Sequence, residues 1–413
     1  MGKAGAAARA GHADGGTGSD SDGGTGSGFE GGAGSGFEGG AGGGFTGDLN
    51  YHGDVAARGA LVDFAVNVRG TTPRWLVDGL GGHLNELSAY PDPMLDRRVR
   101  TLIARRHGRK ADEVLLLAGV AEGFALLPNF CERPAVIHPQ FTEPEAAMRA
   151  AGLSVDRVVL RRPWDLAQVL DGTGQTGAAA IPADADLGAA GATIPADADL
   201  VVVGNPTNPT SVLHSREDIL ALRAPGRIVV VDEAFMDVVA ADEHAAHEVA
   251  SVRDPGLLVF RSLTKTWALA GLRCGYALGA PEVLAALARR RPAWPVGTLQ
   301  LHAMRLVAEH GMDRPLDVER EEIAHERELM VGLLDDAGWS VEPASGPFVL
   351  ARPPVEDPES ARLTLANRGV AVRRCDTFPG LGPGWWRLAV RGAADVGTLV
   401  GEVARIAVLQ SER

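Results

Sequence analysis

Residues 261–276 read RSLTKTWALAGLRCGY. One lysine, Lys265, stands between small hydroxyl residues and an apolar stretch that closes on Gly-Leu-Arg. A lysine in a loop is ordinarily a solvated charge. Here the flanking WALAGL predicts partial burial, and desolvation lowers an amine's pKa and makes it a nucleophile toward carbonyls. A Schiff-base lysine is the sharper reading, and it requires a matching site around it.

The surrounding pattern supplies one. The runs VLLLAG (114–119), PAVIHP (134–139), LVVVGNP (200–206), RIVVVDEAF (227–235) and GLLVFRSLTK (256–265) are bounded by turn residues. They alternate with helical stretches such as MLDRRVRTLIARRHG (94–108) and PEVLAALARR (281–290). This is the α/β pattern of a mostly parallel sheet covered on both faces, whose ligands sit at the carboxyl ends of the strands. After Pro295, two helical stretches and short strands near WSVEP, FVLAR, VAVRRC and WWRLAV predict a smaller α+β lobe. The expected divisions are a Gly-rich tail over 1–48, an N-terminal arm and large domain over 49–290, and a small domain over 291–413. The tail, with its DGGTGS and GSGFEGGA repeats, carries too little apolar surface to offset chain entropy and is expected to be disordered. A second repeat, IPADADL at 181–187 and 194–200, reads as a lengthened surface loop.

Composition narrows the function classes. The chain of 413 residues is 45% hydrophobic and 23% charged, with a formal net charge of -13, which argues against a general nucleic-acid or membrane-surface role, since those need a basic face. Its three cysteines, Cys131, Cys274 and Cys375, form no CxxC pair, so no disulfide framework and no metal site is expected. No apolar run approaches the roughly 20 residues that span a bilayer, and a cytoplasmic location is expected.

Several strand ends carry polar groups that can meet on one ligand. Asp232 ends one strand run, and Ser262 and Lys265 end the next. The segment LAGVAEG (117–123) follows a strand and opens a helix, so the amides of Gly119, Val120 and Ala121 can face an anion. Ser262 and Arg273 add a hydroxyl and a guanidinium fork, Asn208 in NPTNPTS a side-chain amide, and Phe141 in PQFTEP a flat face. Taken singly, an acid after a strand reads as well as a helix cap. Together they describe a site for a planar, phosphorylated heterocycle joined to a lysine.

With these residues in order, the sequence resembles the fold type I, class I/II aminotransferase superfamily of pyridoxal 5'-phosphate enzymes. The ordered series YPD, GVAEG, NPTNPT, DEAF, SLTK, GLRCGY and WRLAV carries the resemblance over nearly all of residues 50–410. It implies an aspartate aminotransferase-like fold with a mostly parallel seven-stranded sheet. It implies that Lys265 bonds the cofactor, Asp232 faces its ring nitrogen, Phe141 stacks on the ring and Asn208 holds its phenolic oxygen. Ser262, Arg273 and the amides of Gly119, Val120 and Ala121 are then the phosphate ligands. Tyr90 matches a tyrosine that reaches the phosphate of the other subunit, which implies a homodimer with shared sites. Arg387 matches the arginine that takes the substrate carboxylate.

Within the superfamily two relatives compete. The segments HGD, YPD, DEAF, RSLTK and RRCDTFPGLGPGWWRLAVR (373–391) look most like the threonine-phosphate decarboxylases of cobalamin biosynthesis, with Arg373, Arg374 and Arg391 as candidates for a second substrate anion. A phosphorylated amino acid is the expected substrate. Histidinol-phosphate aminotransferases are the alternative, although Phe235 replaces their usual tyrosine in DEAY. Pro347 and Ala121 also depart from the common pattern, where relatives often carry an asparagine and a hydroxyl residue. A more remote alternative is a non-catalytic cofactor-binding module of the kind fused to transcription regulators, but a glycine-rich acidic tail stands where their DNA-binding helices lie.

Overall fold

The computed structural model describes residues 47–170, 193–311 and 314–412. Residues 1–46 of the expected 1–48 tail and the first IPADADL copy lie outside the described residues. Seven strands form the main sheet: β1 (Val114–Leu117), β2 (Pro134–His138), β3 (Asp156–Val159), β4 (Leu200–Gly204), β5 (Ile228–Asp232), β6 (Leu257–Ser262) and β7 (Gly275–Gly279). Their spatial order is β1-β7-β6-β5-β4-β2-β3. Only β7 runs against its neighbours; the other pairings are parallel.

The strand sequences explain the double cover. Val201, Val203, Val229, Val231 and Val259 enter one buried cluster, while the alternate Val202, Val230, Leu258 and Phe260 enter another. A strand's side chains alternate between faces, so an unbroken apolar run needs helices on both. Two strands escape the sequence reading. Asp156–Val159 has only a short apolar signal at the sheet edge, and Gly275–Gly279 is not among the runs read as strands.

A second, four-stranded sheet combines β8 (Ser340–Val341), β9 (Phe348–Arg352), β10 (Arg373–Arg374) and β11 (Trp386–Ala389), in the order β10-β11-β9-β8. Its strands share a separate core with the helices Arg314–Asp336 and Ala393–Ser411, built on Met330, Leu334, Val349, Trp386, Leu388, Val403 and Ile406. The early strand Val62–Asp63 pairs in parallel with Val370–Ala371, which draws the N-terminal segment onto this lobe.

Register gathers the strand ends into one rim. Gly275 lies opposite both Leu117 and Ser262. A Cβ at Gly275 would stand 3.0 Å from the Arg261 carbonyl oxygen and 3.1 Å from the Val120 nitrogen, so the crossing tolerates only glycine. Asp232, at the end of β5, lies opposite Gly204 and Phe260. Beneath this rim sits a buried ion cluster. The fully buried Arg261 guanidinium bonds Glu233 at 2.9 Å, Glu248 at 2.7 Å and Asp237 Oδ1, and Arg106 donates to the same Asp237 oxygen at 3.1 Å. Glu233 also accepts from the Val249 amide at 2.6 Å.

Removing one partner of such a cluster leaves buried charge uncompensated, at a cost of about 3–5 kcal/mol. An Arg261→Met variant should therefore unfold at markedly lower denaturant than the parent. An unchanged midpoint with an unchanged denaturant slope would contradict the role given to Arg261.

Candidate active site

A cavity of about 480 Å³ opens at the carboxyl rim of the large sheet. It is lined by Val120, Ala121, Phe141, Asn208, Asp232, Ser262, Lys265, Arg273, Arg373 and Arg387. Ten residues singled out in the sequence thus converge from strand ends far apart in the chain. His52, Asp54, Asn67, Glu143, Phe235 and Phe378 line the cavity too, and the sequence reading gave none of them a role there. His52 and Asp54 had a usable signal, since they belong to the HGD segment.

Local geometry explains how one end of the cavity can receive an anion. Gly119 has φ +81°, and a Cβ on it would lie 2.9 Å from Nη2 of Arg273. The turn therefore needs glycine both for its left-handed backbone and for the guanidinium beside it. The helix α1 (Val120–Leu126) starts at this turn, and its first N–H groups have no intrahelical partner. Arg273 itself holds φ +60°, a strained value for a side-chain-bearing residue, and Ser262 Oγ accepts the Thr264 amide at 3.2 Å. Hydroxyl, guanidinium and the first residues of the helix thus line the same cavity.

Charges in the cavity are shifted by burial. Desolvation, with help from Arg387 and Arg273, lowers the Lys265 ammonium to a pKa of about 8. Desolvation raises the Asp232 carboxyl to about 7, although its Oδ1 accepts the Ala234 amide at 3.1 Å. Burial and the neighbouring Arg373 bring the Arg387 guanidinium down to about 9. Each buried charge sits without a full counter-charge, so an anion near Arg387 and a cation near Asp232 would each be stabilised.

The downstream arginines part company. Arg387 donates to Asn208 Oδ1 at 2.8 Å and to the Ala65 carbonyl, while its Nε is buried without a hydrogen-bond partner. Arg373 reaches the cavity, but its fork donates to the carbonyls of Tyr51 (2.8 Å) and Arg374 (2.6 Å), between the rings of Tyr51 and Phe378. Arg374 does not line the cavity: its guanidinium forms a two-toothed pair with Asp376. Arg391 does not either, because it donates to the carbonyls of Asp63, Val66, Val68 and Val390. The substrate-anion roles considered for Arg374 and Arg391 thus find no support in their positions, since each fork is satisfied elsewhere. Tyr90 also lies outside its own chain's cavity; it is 76% exposed and stacks on Trp294 with ring centres 4.4 Å apart.

The comparisons with known proteins agree with this architecture. The model of the family "Aminotransferase class I and II" matches residues 61–402. A histidinol-phosphate aminotransferase of Mycobacterium tuberculosis is 46% identical over 343 residues, covering 83% of this chain and 86% of the relative. A threonine-phosphate decarboxylase of Salmonella typhimurium is 26% identical over 351 residues, 81% of this chain and 88% of its own. Among solved structures, the histidinol-phosphate aminotransferase of Sinorhizobium meliloti in complex with pyridoxal-5'-phosphate superimposes with a TM-score of 0.71 at 19% identity. That overlap spans 87% of this chain and 96% of the other and bears out the expected fold. With the family model spanning most of the chain and a relative 46% identical over most of its length, the protein belongs to the class I and II aminotransferases.

Proposed function

We propose that the protein is a pyridoxal-phosphate-dependent aminotransferase whose amine donor carries a phosphate. The observation that carries this reading is the meeting of the Lys265 amine, the Asp232 carboxylate and the partly unpartnered Arg387 guanidinium around one cavity. The residues present fit the cofactor. Asp232, held near neutrality by burial, lacks a cation, which a protonated ring nitrogen provides. Ser262, Arg273 and the first amides of α1 offer donors to a phosphate, and the Phe141 ring gives the cavity a flat wall. Bound there, pyridoxal phosphate supplies an electron sink for the bond broken at the substrate's amine-bearing carbon.

The chain's own groups do the rest. Lys265, largely deprotonated above its lowered pKa, is the nucleophile that attaches the cofactor and then the base that moves a proton from the amine-bearing carbon. Asp232 keeps the ring nitrogen protonated. Arg387 holds the donor's anionic group and fixes which bond stands perpendicular to the ring. Asn208 Oδ1 accepts from Arg387, so its NH2 is the half left to donate to the cofactor's phenolic oxygen. Tyr90 faces away from its own site and is proposed to reach the site of a partner subunit.

The choice of transamination over decarboxylation leans on the 46% identical relative and on the arginines. A decarboxylase of threonine phosphate must grip two anions to turn its carboxylate perpendicular to the ring. Of the residues first considered for that second grip, Arg374 and Arg391 are bound elsewhere and Arg373 holds backbone carbonyls.

Three outcomes follow. Incubation with 2-oxoglutarate and either histidinol phosphate or threonine phosphate should yield glutamate, followed by coupled assay; carbon dioxide release without an acceptor would instead establish the decarboxylase. Lys265→Ala should lose at least about 10²–10⁴-fold in kcat, the usual contribution of a positioned acid-base group. Cofactor capture by the cofactor-free protein needs the free amine, so its rate should rise with pH through about 8 and level off above it. Because Arg387 helps depress that amine, Arg387→Met should move the midpoint upward. A flat profile in stopped-flow absorbance would remove Lys265 as the attacking group.

A further inference from the structure

Away from the cavity, three side chains form a cluster that the aminotransferase reaction does not use. Glu86 Oε1 lies 2.7 Å from Nδ1 of His83, and its Oε2 lies 2.8 Å from Nε2 of His302. The two imidazoles stack nearly parallel, 3.4 Å between centres and 11° between planes, and so direct their nitrogens at one carboxylate. The ligand atoms of all three residues fall within 4.8 Å of one another. None of the three lines the cavity.

We propose that His83, Glu86 and His302 bind a divalent transition-metal ion, zinc foremost. Two imidazoles and one carboxylate are a zinc ligand set that leaves a position open for water. The scaffold suits it. His83 and Glu86 stand three apart at the start of the 3₁₀ turn Leu84–Ser88, where i and i+3 share a face. His302 comes from the helix α2 (Thr298–Leu306) and is 6% exposed, so its ring is already held by packing. An imidazole's lone pair lies in its ring plane, so His83, the more exposed ring, tilts out of the stack and the half-exposed Glu86 shifts before all three meet one ion at ~2.0–2.2 Å.

Binding replaces the hydrogen bonds to Glu86. Each imidazole remains neutral and moves its proton to the ring nitrogen away from the ion. For His83 that nitrogen is Nε2, which now faces Arg305 Nη2 at 3.3 Å. Arg305 must release it and keep Glu309, which it already bonds at 2.6 Å. Hard oxygen-seeking ions such as magnesium are disfavoured by two nitrogen ligands. The ion ties a local turn to a helix 216 residues away in sequence. Tyr90 follows that turn and Trp294 precedes that helix, and their rings stack, so the ion anchors the segment that presents Tyr90.

The test uses the full chain loaded with cofactor, stripped with chelator and dialysed against zinc in phosphate-free buffer. Elemental analysis should find one zinc per chain, with a saturable rise in Tm that magnesium does not reproduce. His83→Ala and Glu86→Gln, both at accessible positions, should each weaken zinc retention on the order of tenfold or more and abolish the Tm rise. Cys131→Ser should leave both unchanged. No retained zinc, equal retention by the two variants, or equal binding of magnesium would each overturn the assignment.

Discussion

The rim of the large sheet depends on the buried guanidinium of Arg261. It lies one residue before Ser262 and bonds Glu233, one residue after Asp232. Successive residues of a strand face opposite ways, so locking Arg261 and Glu233 together behind the sheet turns Ser262 and Asp232 outward into the cavity. Asp237, which burial alone would leave neutral, is held well below the ordinary carboxylate range by Arg261 and Arg106. The strong Coulomb interactions of the site are therefore carried behind the rim, and the groups in front of it keep unsatisfied charge.

That unsatisfied charge is what gives the cavity its chemistry. Lys265, Arg273 and Arg387 line one cavity; burial lowers Lys265, with Arg387 and Arg273 adding repulsion, and burial lowers Arg387, with Arg373 adding repulsion. Asp232 is raised by the same loss of water. A ligand with an anionic arm at Ser262 and Arg273, a cationic ring nitrogen at Asp232 and an electrophilic carbon at Lys265 answers the groups at that end of the cavity and leaves Arg387 to an anion of the substrate. Pyridoxal phosphate has those three features in one small molecule.

Much of this was legible in the sequence because it is written locally. Asp232 and Ser262 each end an apolar strand run, Lys265 follows three residues after Ser262, and the Gly119 turn opens a helix directly after another strand. What was not legible depends on long-range partners. The fate of Arg374 was decided by Asp376 only two residues away, yet nothing in the spacing fixed that they would face each other rather than the cavity. Arg391 is claimed by three carbonyls of the segment 63–68, more than three hundred residues upstream. The antiparallel β7 was hidden because Gly275–Gly279 begins and ends in glycine and carries no β-branched residue. His302 gave no motif at all, since its partners lie 216 residues away.

The central claim is that Lys265 and Asp232 address one heterocycle from opposite ends. A crystal structure of the protein grown with pyridoxal phosphate tests it most directly. The account predicts continuous density from Lys265 Nζ to the cofactor, an Asp232 oxygen within hydrogen-bond distance of the ring nitrogen, and the phosphate at Ser262 and Arg273. Cofactor bound elsewhere, or lying in this cavity without a bond to Lys265 and with its ring nitrogen away from Asp232, would contradict it.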